Sequence, residues 1–107
     1  MVDQIEALLN APTSGAQAPT LEHMEDTLTV GYAQALALEA ERWRLESRIG
    51  EVARRAEGED VSDFAAELRT LARRITNADG ELTKLRGLLG SLHERTRLVR
   101  SAPRRSA

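Results

Sequence analysis

The chain has 107 residues, a formal net charge of −2 and 30% charged residues, and its only aromatics are Tyr32, Trp43 and Phe64. That length allows one small domain, and an Ala/Glu/Leu/Arg-rich composition poor in aromatics is that of long helices and coiled coils. The absence of cysteine excludes disulfides and thiolate metal sites. No apolar run approaches the roughly 18–20 residues that a bilayer span needs, which speaks against a membrane protein. The N-terminus, with Asp3 and Glu6 and no basic residue, lacks the basic opening of a signal peptide, so a cytoplasmic location is expected.

Residues 1–19 read as a short amphipathic segment followed by a linker. Val2, Ile5, Leu8 and Leu9 lie at helical spacing, whereas residues 11–19 are small and polar with two prolines. A nine-residue helix is marginal alone in water, so the segment is expected either to stay disordered or to dock.

A first long helix is predicted over 20–57, with Thr20 as N-cap. Its heptad seam runs Leu21, Met24, Leu28, Gly31, Ala35, Leu38, Arg42, Leu45, Ile49, Val52, Ala56. Arg54 and Arg55 suit the negative end of the helix dipole. A turn at 58–61 contains Gly58. The second helix, over 62–100, continues the seam through Phe64, Leu68, Leu71, Ile75, Ala78, Leu82, Leu85, Leu89, Leu92, Thr96 and Val99. Residues 101–107 form a basic tail.

So short a connection makes the helices antiparallel neighbours. Pairing Ala56 with Phe64 then aligns the whole seam without a slip, through Val52–Leu68, Ile49–Leu71, Leu45–Ile75, Arg42–Ala78 and Gly31–Leu89. The expected fold class is therefore all-α: an antiparallel two-helix coiled-coil hairpin. Arg42, the one charge in the seam, is expected to pair with Glu39, Glu46 or Asp79 and to hold the register. Glu22, Glu25 and Asp26 fall beside Arg95, Arg97 and Arg100, which accounts for the uneven charge of the chain.

Apolar residues remain off the seam. Val30, Tyr32, Leu36, Ala40 and Trp43 make the first helix apolar on more than one side. Aromatics beside leucines are frequent at interfaces. On the second helix Gly80, Thr83, Gly87, Gly90 and Ser91 form a stripe of small residues, and glycine inside a helix costs about 1 kcal/mol relative to alanine. The register also sets Glu41 near Glu81 and Arg48 near Arg74, like charges that a twofold partner could relieve. The expected partner-interface residues are thus Tyr32, Leu36, Ala40, Trp43, Gly80, Thr83, Gly87 and Ser91. The expected function is a non-enzymatic protein–protein interaction module that forms a four-helix homodimer or takes a partner helix.

No nucleotide-binding glycine loop and no Ser/His/Asp or Cys/His set is present, so no catalytic, cofactor-binding or metal residues are assigned. His23 and His93 match no metal-ligand spacing. Nucleic acid is a lesser expectation, through Arg97, Arg100, Arg104 and Arg105. Asp79, Thr83, Arg86, Gly90 and Glu94 are spaced four, three, four and four. This spacing resembles one copy of the cyclic di-GMP-binding signature of actinobacterial anti-sigma hairpins. Only Arg86 matches it strictly, Gly90 stands where that signature has glutamine, and the first helix carries no second copy. The resemblance implies a transcription regulator responsive to a cyclic dinucleotide. An adaptor or chaperone for another helical protein is a third expectation.

Overall fold

A computed structural model describes residues 1–57 and 62–101. Among these residues it contains three helices and no strand: α1 (Val2–Asn10), α2 (Leu21–Ala56) and α3 (Ser62–Ser101). The expected turn at 58–61 and the tail beyond residue 101 lie outside the described residues. The two long helices pack against each other, and contacts divide the chain into two units. Unit one is Met1–Ala35 with the chain from Lys84 onward, and unit two is Leu36–Thr83.

Unit one buries Ile5, Leu8, Met24, Leu28, Ala35, Leu85, Leu89 and Leu92. Its stretch of α2 opens on Thr20, whose Oγ1 accepts the His23 N–H at 3.0 Å, so the expected cap is formed. Thr96 is almost wholly buried. The seam tolerates it because its hydroxyl donates to the His93 carbonyl at 2.7 Å, leaving no polar atom unsatisfied. At Gly31 α3 crowds α2: a Cβ there would stand 2.4 Å from Leu89 Cδ2. Facing Leu89, this position has room for no side chain. The expected seam ends sooner than its periodicity suggests: Val99 is 42% exposed.

The N-terminal segment docks. Ile5 is completely buried and Leu8 nearly so, although α1 spans only nine residues. Burying such side chains is worth about 1.5–3 kcal/mol each, more than an isolated helix of this length gains from its own hydrogen bonds. The following stretch, expected to be a flexible linker, is held near its start by Arg95. It turns at Gly15, with φ of +92°, where the Ala18 N–H donates to the Gly15 carbonyl at 3.1 Å.

Unit two is built on Leu45, Val52 and Leu71, with Ile49, Phe64, Leu68 and Ile75 packed around them. These are seam residues of both long helices. Ion pairs flank them: Glu41 with Arg74 at 3.1 Å and Arg48 with Glu67 at 3.0 Å. Partner numbers on α3 fall as those on α2 rise, so within this unit the helices run in opposite directions. Arg42 Nε lies 3.1 Å from Glu46 and 3.0 Å from Asp79, as its place in the seam requires.

These flanking pairs correct one expectation. Glu41 takes Arg74 and Arg44, and Arg48 takes Glu67 and Glu51, so each has opposite charge within reach. Glu67 lies seven residues before Arg74 and Glu41 seven before Arg48, so each arginine finds its carboxylate about two turns from the like charge. The like-charge argument for a twofold partner therefore falls away.

Candidate interaction face

In unit two α2 carries Leu36 and Trp43, which are 67% and 68% exposed. They are seven residues apart, nearly two full turns, so they project from one face of the helix. Ala40 lies between them and is exposed too. The seam residues Leu45 and Val52 turn the opposite way into the core. Two large apolar side chains, one an indole, are thus presented to solvent from a rigid helix whose other side is anchored. In unit one Val30 and Tyr32 are also exposed.

The small-residue stripe is open. Nothing lies within 4 Å of a Cβ placed at Gly80 in unit two, or at Gly87 or Gly90 in unit one. Thr83 and Ser91 are exposed. Among the described glycines Gly31 alone meets a close packing contact, and the stripe glycines have open space where a Cβ would stand.

Much of the basic end of α3 is engaged. Arg97 binds Glu94 through Nε at 3.0 Å, and Arg100 pairs with Glu25. The Arg97 hydrogen bond holds the Glu94 carboxyl below its ordinary pKa, against a smaller opposing effect of desolvation. The same bond raises Arg97. Arg104 and Arg105 lie outside the described residues.

Asp79 is bound by Arg42 and Glu94 by Arg97, Thr83 is exposed, and Gly90 offers no side chain. Among the described residues no cluster of three or more His, Asp or Glu could hold a metal ion, and no helix is long and apolar enough to cross a membrane.

The sequence register sets Arg95 and Arg97 beside the acidic residues of the first helix, but Arg97 takes Glu94 of its own helix. Arg95 departs from that expectation too. Instead its Nη1 donates to the carbonyls of Leu8 and Leu9, both at 2.7 Å, and its Nη2 to those of Ala11 and Pro12, at 2.8 and 3.0 Å. One guanidinium thereby takes up the carbonyls at and beyond the end of α1. A hint was present: α1 has no basic residue in its last turn, so its C-terminal carbonyls wanted a donor from elsewhere.

No family model matches the chain, and neither the curated proteins nor the solved structures include a significant match.

Proposed function

We propose that this chain is a non-enzymatic helical protein–protein interaction module. In this reading the two long helices form an antiparallel coiled-coil hairpin, and two copies pair into a four-helix dimer. The paired face on α2 is Leu36, Ala40 and Trp43, with Tyr32 supplying a further apolar contact. The observation that carries the reading is the exposure of Leu36 and Trp43 on one face of a helix anchored by its other side. Exposed leucines are ordinary singly, but an exposed indole aligned with one on a rigid element is the kind of anchor that dominates interface energy. The open glycine stripe is a second surface that another helix could approach closely.

The anti-sigma-like and nucleic-acid readings draw less support. The acidic groups they would use are paired with Arg42 and Arg97, and Arg97 and Arg100 already have carboxylate partners.

Solution mass by light scattering across a concentration series tests the proposal. The expected result is a dimer at high concentration. Trp43→Glu should weaken it by roughly 30-fold or more, the loss of one central anchor of about 2 kcal/mol, with helical circular dichroism retained. A monomer at every concentration rejects self-association. Loss of helicity in the variant rejects the placement of Trp43 outside the core.

A further inference from the structure

We propose that α1 is an exchangeable ligand: its seat in unit one is a receptor for a short amphipathic helix, and the occupant it takes in trans is α1 of a second copy of this chain. A helix of this length has little order of its own, so what orders it is the seat.

Three features of the seat read three features of α1. The bare backbone of Gly31 lets Leu89 lean in, and Ile5 Cδ1 comes within 3.7 Å of the point a Cβ would occupy there. Lys84 Nζ lies 3.5 Å from a Glu6 carboxylate oxygen. Arg95 reaches past Leu8 and caps the carbonyl end through four hydrogen bonds. That end has little cap of its own beyond the Ala11 N–H donating to the Leu8 carbonyl at 3.3 Å. The seat thus selects an apolar pair three residues apart, a carboxylate beside it and an open carbonyl terminus. This is helix-in-groove recognition with an added C-terminal clamp.

None of these contacts depends on α1 belonging to the same chain. What favours its own chain is the tether of residues 11–20, whose stretch from Pro12 to Gln17 is exposed. A short tether sets an effective concentration on the order of millimolar, so the seat is filled from within at low protein concentration. A second copy brings an identical α1. Exchanging the two preserves every contact of the seat described above, which makes the swapped pair nearly isoenergetic apart from the tether.

The first measurement uses a fluorescent, C-terminally amidated peptide of residues 1–12 titrated onto full-length chains. Ile5→Asp should eject the chain's own α1 and leave the seat open. The peptide is expected to bind this variant and to bind wild type much more weakly. Adding Arg95→Gln to Ile5→Asp should weaken binding by about tenfold or more. No binding to an Ile5→Asp chain that keeps its helical circular dichroism overturns the receptor, and binding indifferent to Arg95 overturns the clamp. Should Ile5→Asp lose helicity, the paired Ile5→Ala and Leu8→Ala substitutions serve in its place.

The second measurement uses the absence of cysteine from the chain. Ala7 and Thr27 line one groove between α1 and α2. Full-length chains carrying Ala7→Cys and Thr27→Cys are mixed at high concentration and oxidised. Mixed disulfides above the random share, lost when the Ala7→Cys chain also carries Ile5→Asp, are expected. A random share confines α1 to its own chain and overturns the exchange.

Discussion

Among single residues, the glycines show how unlike roles share one letter. At Gly31 a Cβ would stand 2.4 Å from Leu89, which is itself fully buried, whereas Gly80, Gly87 and Gly90 face open space. Gly31→Ala should therefore cost about 1–3 kcal/mol through overpacking, despite the better helix propensity of alanine. Gly80→Ala or Gly87→Ala should instead stabilise an isolated chain by about 0.5–1 kcal/mol. Chemical denaturation of the three variants checks the sign of each. A stripe variant that gains stability but loses assembly would show another helix lying close to it.

Glu94 makes a second residue-scale case. Its folded pKa is depressed, chiefly by the hydrogen bond from Arg97. The unfolded chain therefore takes up the proton first as pH falls. The stabilising contribution is fully present above the ordinary glutamate pKa and is lost as pH drops through the lowered folded value. An NMR titration of the Glu94 carboxyl should find a midpoint below that of an ordinary exposed glutamate. In Arg97→Gln the midpoint should move back up; an unmoved midpoint would refute the assignment to Arg97.

At the scale of elements, long periodicity was legible and short order was not. The spans of α2 and α3 follow from the apolar repeat, the Thr20 cap and the Ser62 start, all local signals. Whether residues 2–10 docked could not be read locally, because nine residues carry too few hydrogen bonds to hold themselves. The decision lies with Arg95, 83 to 87 positions away along the chain. Arg95→Gln should accordingly raise amide hydrogen exchange across α1 and leave the Leu45–Val52–Leu71 cluster unchanged. Uniform acceleration through both units would mean that Arg95 supports more than α1.

For the whole molecule, each unit has a core of seam residues, joined in unit one by Ile5 and Leu8 of α1, and Leu36 and Trp43 of unit two are left outside. Those two side chains were picked out as off-seam from periodicity alone, and the structure finds both about two-thirds exposed. The flanking charges show the opposite outcome. Heptad position set like charges side by side, yet Arg74 takes Glu41 and Arg48 takes Glu67, carboxylates about two turns from those like charges. A helical wheel fixes where a Cβ points but not how far a long side chain extends.

Composition and period by themselves determined that this chain is helical, which stripe of each long helix is buried, and which apolar residues are left outside. Those properties depend on neighbours three and four positions apart, and the repeat states them directly. Only tertiary structure decided the fate of α1, the four carbonyls that Arg95 binds and the carboxylates that Arg48 and Arg74 take across the helix pair. Each of these turns on a distance between residues far apart in the chain, and no local pattern encodes such a distance.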